Sequence, residues 1–241
     1  MKMKFVALLA ICLVTVLHRS PAWADGLGIS PLRAVLSTQV RTAGFTLTSQ
    51  EPNPTLVQVH LYAWSQQKGV DQLVPSDDLL VGPPIFTIQP GQTQLIRIGL
   101  RNEPASQREA TYRIIIAEVP VQPRSDNGIN FAFRLSMPIF VTPDKQSDVS
   151  LLWSAVKVDP SHLRLTVEDT GDRHVQIRSL RILTAPRGDL LFNLPTATYV
   201  LAGQDRSWIL RLDKSQPGGS ISIFAPTDRG LIEQTIAVHT P

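Results

Sequence analysis

Apolar and polar residues alternate in short runs along most of the chain, and clusters of turn-forming residues separate the runs. An alternation with a period of two is typical of extended strands, because successive side chains point to opposite faces. Pro90-Gly91 and Arg187-Gly188 are examples of the turn signals between them. Many short strands at this spacing predict an all-β fold of the sandwich or barrel type. The predicted strands are Leu27–Ser37, Gly44–Ser49, Thr55–Ser65, Gln72–Pro75, Ile85–Gln89, Thr93–Arg101, Ala110–Pro120, Gly128–Pro143, Val149–Val158, His162–Glu168, His174–Thr184, Asp189–Asn193, Ala197–Leu201, Arg206–Leu212, Gly219–Ala225 and Leu231–His239.

The run Gly128–Pro143 is the longest of these patterns and follows a polar loop, Gln122–Asn127. It exceeds the roughly 5–6 residues of a typical strand. Its apolar residues of one parity are Ile129, Phe131, Phe133, Leu135 and Met137. A long strand with one apolar stripe either closes the core of its own domain or offers that stripe to another chain.

A polar segment within Thr142–Ser150 separates two series of strands. Each series is close to the ~100 residues of an immunoglobulin-type sandwich. The sequence therefore predicts an N-terminal domain over residues 25–145 and a C-terminal domain over residues 146–241.

The first 24 residues have the pattern of a secretory signal peptide. Lys2 and Lys4 precede an apolar stretch, Phe5–Leu17, which is short for a membrane span. Ala22-Trp23-Ala24 supplies the small residues of a cleavage site. We expect export and cleavage after Ala24, with an uncleaved anchor as the alternative.

Cleavage would change the charge of the protein. Removing Lys2, Lys4 and Arg19 from the 23 basic residues leaves 20, which equals the 20 acidic residues. A net charge near zero gives no reason to expect nucleic-acid binding. No second apolar segment is long enough for membrane insertion of the mature chain, and the only cysteine, Cys12, lies in the leader. The mature chain therefore has no disulfide, no cysteine nucleophile and no cysteine-based metal site.

Enzymatic chemistry has little support in the residues. Asp169-Thr170-Gly171 spells the triplet of aspartic proteases, but those enzymes need two such loops, and Asp172 follows this single copy. Asp and Gly at this place favour a turn between two strands. The histidines are scattered without metal-ligand spacing. We expect no catalytic residues, no cofactor and no metal.

Four segments in a fixed order resemble the PapD-like periplasmic pilus-assembly chaperones of the chaperone–usher system. The segments are Ile29–Leu36, Pro84–Ile98, Tyr112–Pro120 and the long strand Gly128–Pro143. The Pro-Ile-Phe-Val ending of the long strand suggests an archaic or divergent branch of that family.

The resemblance implies two immunoglobulin-like β-sandwich domains set at an angle, with a cleft between them. It also implies a periplasmic chaperone that binds exported pilus or fimbrial subunits and delivers them to an outer-membrane usher. The long strand would be donated to the subunit, with its apolar side chains filling alternate pockets. The strand residues assigned to subunit binding are Ile129, Phe131, Phe133 and Leu135. The alternative is that these side chains line the domain's own core.

Members of the family hold the subunit's C-terminal carboxylate with two basic residues. Arg33 matches the arginine of the first strand, and a guanidinium suits a carboxylate. The lysine of the last strand has no match here, because counting back from Pro143 places Pro138 at its position. Arg134, on the same face of the strand, and Arg113, on the neighbouring strand, are the candidate replacements.

Two functional hypotheses remain open. The first is the subunit chaperone, which requires no cofactor. The second is an exported two-domain protein that acts as a structural or adhesive component of the cell surface. For the chaperone, a self-capping dimer of the idle protein is a further hypothesis, because an exposed apolar strand is prone to self-association.

Overall fold

The computed structural model describes residues 26–102, 107–120, 132–143, 148–186, 188–195, 197–212 and 219–240. All regular secondary structure in these ranges is β-strand, which confirms the all-β prediction. Within them no helix is long and apolar enough to cross a membrane. The strands are β1 (Leu27–Ser30), β2 (Ala34–Leu36), β3 (Thr42–Ser49), β4 (Thr55–Gln67), β5 (Val70–Pro75), β6 (Leu79–Gly82), β7 (Ile85–Ile88), β8 (Thr93–Leu100), β9 (Ala110–Glu118), β10 (Arg134–Val141), β11 (Leu151–Asp159), β12 (His162–Asp169), β13 (Val175–Ile177), β14 (Leu180–Ala185), β15 (Leu190–Leu194), β16 (Thr198–Val200), β17 (Asp205–Arg211), β18 (Ser220–Thr227) and β19 (Gly230–His239).

The strands β1–β10, called the N-terminal unit below, form two sheets. One sheet has the order β1-β3-β8-β6, and the other has the order β2-β10-β9-β4-β5 with β7 paired to β4. In every strand of this unit except β5, whose residues are all exposed, one parity faces a shared apolar core. Fully buried members of that core include Phe45, Ile114, Ile116 and Ile139.

The strands β11–β19, called the C-terminal unit below, form the third sheet. Its order is β15-β14-β18-β19-β11-β12-β17, and β13 joins β16 to β18. The parallel pairing of β11 with β19 is limited to Ala155 and Val156 on the β11 side. Buried apolar side chains of these strands form a second core. Fully buried members of that core include Leu163, Leu165 and Ile182. The two cores are those of two immunoglobulin-like units.

Three details differ from the predicted strands. The run Leu27–Ser37 is two strands: β1 pairs with β3, whereas β2 pairs with β10 in the opposite sheet. Pro31 lies between them, and a residue without an N–H cannot continue a ladder. The run His174–Thr184 is likewise divided into β13 and β14, and β6 was not predicted.

The long predicted strand Gly128–Pro143 is described from residue 132 onward, and β10 begins at Arg134. Ile129 and Phe131 lie outside the described residues. β10 is antiparallel to β9 along its whole length but pairs with β2 only over Ile139–Val141. Within the described ranges, the edge of Arg134–Pro138 that faces away from β9 therefore has no strand partner.

Candidate functional site

The outer face of the β2-β10-β9-β4-β5 sheet meets the C-terminal unit. Along β10, Met137, Ile139 and Val141 point into the N-terminal core. Pro138 and Phe140 have the opposite parity, and both are also buried. Since strand residues of opposite parity occupy opposite faces, this end of β10 is covered on both sides.

Aromatic side chains fill the junction between the two units. Trp64 and Phe140 of the N-terminal unit pack with Leu201 and Tyr199 of the C-terminal unit. The Trp64 and Tyr199 rings meet edge to face at a centroid distance of 5.6 Å, and Phe140 lies 5.6 Å from Tyr199. The His174 ring stacks on Phe140 at 3.5 Å. This aromatic cluster packs against both units and fills the space between them.

Two arginines flank Pro138. In the β9–β10 ladder, the Cα partner of Pro138 is Arg113. On the other side of β10, the parallel ladder with β2 begins at the pair Ala34 and Ile139. One residue earlier in each strand, Arg33 therefore lies at the level of Pro138. Directly opposed residues in adjacent strands point to the same face. Arg33 and Arg113 therefore place two cations beside the one position of β10 where the resemblance predicts a lysine.

The Arg113 guanidinium lies over the Trp64 ring, 3.8 Å from the ring centroid, and 5.9 Å from the Tyr199 centroid. Burial lowers the pKa of Arg113 from its ordinary value, while the negative charge of Asp71 acts in the opposite direction. An arginine remains protonated despite such a shift. The site thus holds a permanent, partly desolvated cation fixed on an aromatic face.

Arg33 is the more exposed of the two cations, with 52% of its side chain accessible. Its Nη1 atom lies 3.8 Å from Oδ2 of Asp228, whose side chain is only 12% accessible. Burial raises the pKa of the Tyr199 phenol, the charges of Arg33 and Arg113 lower it, and Asp228 raises it. Tyr199 is thus within electrostatic reach of all three charged groups, which come from both units.

Arg134 does not join this group. Its Cα partner on β9 is Ala117, four residues along the ladder from Arg113. At about 3.3 Å per residue, that separation is about 13 Å. Arg134 is exposed. Phe133 and Leu135, the described members of the predicted subunit-binding set, are partly buried against the N-terminal core.

The β4–β5 hairpin fixes the two units against each other. Nε2 of Gln66 donates to the carbonyl oxygen of Tyr199 (2.9 Å), and Oε1 of Gln66 accepts from the N–H of Leu201 (3.1 Å). Asp71 and Arg206 form an ion pair at 2.8 Å. At the hairpin turn, Gly69 has φ of +76°, and a Cβ there would lie 2.7 Å from the backbone nitrogen of Ser207.

A second polar link lies beyond Phe140. Nδ1 of His174 is 2.5 Å from Oε1 of Glu109, and both side chains are buried. The Nε atom of Arg173 lies 3.8 Å from the other Glu109 oxygen. Among the described residues, no group of three or more His, Cys, Asp or Glu side chains could hold a metal ion. The buried contact between Glu109 and His174 is a second polar link between the two units.

The Asp169-Thr170-Gly171 triplet lies in a turn, as the sequence indicated. Oδ1 of Asp169 accepts from the N–H of Gly171 (2.9 Å) and from the N–H of Ser150 (3.3 Å). A Cβ at Gly171 would lie 2.3 Å from the carbonyl oxygen of Asp148. Burial raises the pKa of Asp169 to about 6. The bond from Ser150 ties the end of β12 to the segment that precedes β11.

Sequence reasoning named Arg33 and Arg113 as candidates but missed the residues that surround them. Trp64 and Tyr199 contact Arg113 from 49 and 86 positions away along the chain. Asp228 contacts Arg33 from 195 positions away. Trp64 follows the ordinary alternation of β4, and nothing in the neighbouring sequence indicates that an arginine lies over its ring. The Thr227–Gly230 turn was not recognised as part of the site for the same reason.

Comparison with known proteins relates this fold to one family. Residues 26–147 match the family described as "Pili and flagellar-assembly chaperone, PapD N-terminal domain". No curated protein sequence matches the chain.

Solved chaperone structures share the whole fold. A chain of the complex between the CsuC chaperone and the CsuE tip adhesion subunit, from the archaic chaperone–usher Csu pili of Acinetobacter baumannii, is 16% identical, with a TM-score of 0.65 over 90% of this chain and 99% of that one. The Salmonella enterica SafA pilin–SafB chaperone complex contributes a match of 20% identity and TM-score 0.58, covering 90% and 98% of the two chains. The YadV chaperone is 19% identical, with a TM-score of 0.59 and coverage of 88% and 98%. These likenesses show the fold.

Proposed function

The chain belongs to the PapD-like family of pilus-assembly chaperones, and from that membership we propose that it binds exported pilus subunits in the periplasm and passes them to an outer-membrane usher. The family is one of chaperones rather than enzymes. The similar proteins CsuC and SafB are each described in complex with a subunit or pilin. Donated strand contacts would support the client without any cofactor.

The bracketing of Pro138 by Arg33 and Arg113 carries the proposal. A client's C-terminal carboxylate is a planar anion that can accept paired N–H bonds from a guanidinium. The two cations stand beside the β10 edge at which an added strand would end. Arg113 is therefore the better second anchor, and Arg134 is too far along the ladder to share the same carboxylate.

Strand donation is the second part of the proposal. The edge of Arg134–Pro138 opposite β9 is open within the described ranges, so its backbone groups can pair with a client strand. Phe133 and Leu135 keep part of their surface accessible. Together with Ile129 and Phe131, which lie outside the described residues, they would fill successive client pockets. Each buried side chain would contribute roughly 1.5–3 kcal/mol before entropic costs.

The proposal also includes the cleaved leader, the domain boundary and the idle dimer that the sequence predicts. The leader would be removed after Ala24, and the domain boundary would lie between residues 145 and 146. A self-capping dimer through the open β10 edge is the proposed idle state. A mass that stays monomeric at all concentrations would count against the dimer.

Co-expression with candidate exported subunits tests the function. The wild-type protein should be released by osmotic shock and should co-purify with the subunit one to one. Arg33→Ala should keep the fold but lose the subunit. Unchanged recovery of the subunit with Arg33→Ala would contradict the anchor, and a protein that polymerises at the cell surface would favour a structural or adhesive role.

Strand donation has its own test. Phe131→Asp should leave a soluble protein that cannot protect a subunit, because a carboxylate cannot enter an apolar pocket without a large desolvation cost. If the variant still bound the client normally, Gly128–Pro143 would not be the donated strand.

A further inference from the structure

Asp228 is held rigidly in the turn between β18 and β19. Its Oδ1 atom accepts from the backbone N–H of Gln176 at 2.9 Å. Its own N–H donates to the carbonyl oxygen of Gln176 at 3.0 Å. These two bonds fix one oxygen of the carboxylate and leave the other, Oδ2, directed at Arg33, 3.8 Å from Nη1.

The distance and the exposure describe an incomplete ion pair. At 3.8 Å the contact exceeds the 2.7–2.9 Å of a charge-assisted hydrogen bond. Half of the Arg33 side chain remains accessible, whereas Asp228 is nearly buried. The guanidinium therefore retains donors for a second anion, but any such anion approaches the fixed negative charge of Asp228.

The charges of the site are unbalanced by one. Arg33 and Arg113 supply two positive charges, and Asp228 supplies one negative charge. Among the described groups that act electrostatically on Arg113 and Tyr199, the remaining carboxylate is that of Asp71, which is paired with Arg206 at 2.8 Å. The site is thus short of one anion, which matches a single carboxylate.

We propose that Asp228 is an internal counter-anion for Arg33, which neutralises it in the unloaded protein and weakens the binding of the client's terminal carboxylate. This inference rests on the proposed function. A client carboxylate would share Arg33 with Asp228 and repel it. The weakened binding would allow the client to be handed on, and the C-terminal unit would thereby set the affinity of an anchor that belongs to the N-terminal unit.

Asp228→Asn separates charge from shape. The asparagine Oδ1 can keep the bond from Gln176, and the amide group replaces only the charged oxygen that faces Arg33. The probe is a synthetic peptide with alternating apolar side chains, prepared once with a free C-terminal carboxylate and once with a C-terminal amide. Dissociation constants for both forms are measured by calorimetry on the full mature chain. Asp77→Asn, in the connection between β5 and β6, is the control for the same change in net charge.

The expected result is that Asp228→Asn binds the free acid about fivefold more tightly than the wild type, because a like charge near 4 Å is removed. Binding of the amide should not change, and Asp77→Asn should match the wild type. Arg33→Ala should abolish the preference for the acid over the amide.

Two results would overturn the inference. If Asp228→Asn bound the acid equally or more weakly while Arg33→Ala lost the preference, the anchor would stand and the counter-anion role would be wrong. If Arg33→Ala kept the preference, the carboxylate site itself would be wrong, and the proposed function would lose its anchor as well. Thermal unfolding of each variant checks that the fold is intact.

Discussion

Arg113 on β9 lies directly opposite Pro138 on β10, and both residues face the C-terminal unit. Pro138 stands where the resemblance to pilus-assembly chaperones predicts a lysine. The neighbouring strand therefore supplies a cation at the level where the last strand lacks one. Arg33 supplies another from the opposite side of β10.

This arrangement predicts different effects for two arginine substitutions. Arg113→Ala should reduce recovery of the client from periplasmic extracts by about tenfold or more, because truncating one partner of a partly buried charge pair costs roughly 2 kcal/mol or more. Arg134→Ala, an equivalent loss of charge about 13 Å away, should stay within about twofold of the wild type. Recovery is measured by affinity purification and densitometry. A larger loss with Arg134→Ala would identify Arg134 as the second anchor.

A cation placed at residue 138 should compensate for the loss of Arg113. In the Arg113→Ala background, Pro138→Lys should restore a measurable part of client recovery, because the ammonium would occupy the same level of the ladder. In the wild-type background the same change should bring no gain, since two cations would then lie side by side. Failure of the double variant to exceed Arg113→Ala, with its fold intact by circular dichroism, would argue against equivalent positions.

The hairpin contact predicts that Gln66 stabilises the junction between the units. Gln66→Ala would leave the Leu201 N–H and the Tyr199 carbonyl without their partner, at a cost of about 1–3 kcal/mol. Gln67→Ala, at the exposed neighbouring position, should change the free energy of unfolding by less than about 0.5 kcal/mol. Urea unfolding of the two variants measures the difference. Equal effects would show that the hairpin does not fix the units.

The raised pKa of Asp169 predicts that the stability difference between the wild type and Asp169→Asn depends on pH. Its folded pKa of about 6 is above the unfolded value of about 3.9. As the pH falls from about 6 to about 4, the folded state binds a proton before the unfolded state does, so this residue adds stability. Asp169→Asn mimics the protonated form. It should therefore stabilise the protein near pH 7.5 by roughly 1–3 kcal/mol, and should lose that advantage near pH 4.5.

Urea unfolding of both proteins at the two pH values checks this prediction. An advantage of Asp169→Asn that is the same at both pH values would show that Asp169 does not titrate in this window. Among the described residues, the buried Oδ2 of Asp169 has no hydrogen-bond partner. A variant less stable at both would show that placing an amide N–H group there costs more than removing the charge gains.

The fold could be predicted because it is encoded locally. Alternating runs such as Thr93–Arg101 and Leu231–His239 closely match β8 and β19. The missed strand β6 is a four-residue segment, Leu79–Gly82, between acidic residues and a proline pair, so its alternation is too short to detect. The division of Leu27–Ser37 depends on which sheet each half joins, and that is decided by packing.

The site was predictable only in part for the same physical reason. Arg33 and Arg113 stood out as basic residues in family-like segments. The ranking of Arg113 over Arg134 required the register of β9 against β10. Tyr199 and Asp228 belong to the other unit, and no local pattern reports a contact between distant parts of a chain.

The most direct measurement of the central claim is a crystal structure of the mature chain bound to its client subunit. We predict that an oxygen of the client's C-terminal carboxylate lies within hydrogen-bonding distance, about 3 Å, of the guanidinium groups of both Arg33 and Arg113, beside Pro138. A client carboxylate that contacts Arg134 instead, or that lies in solvent away from both arginines, would contradict the account.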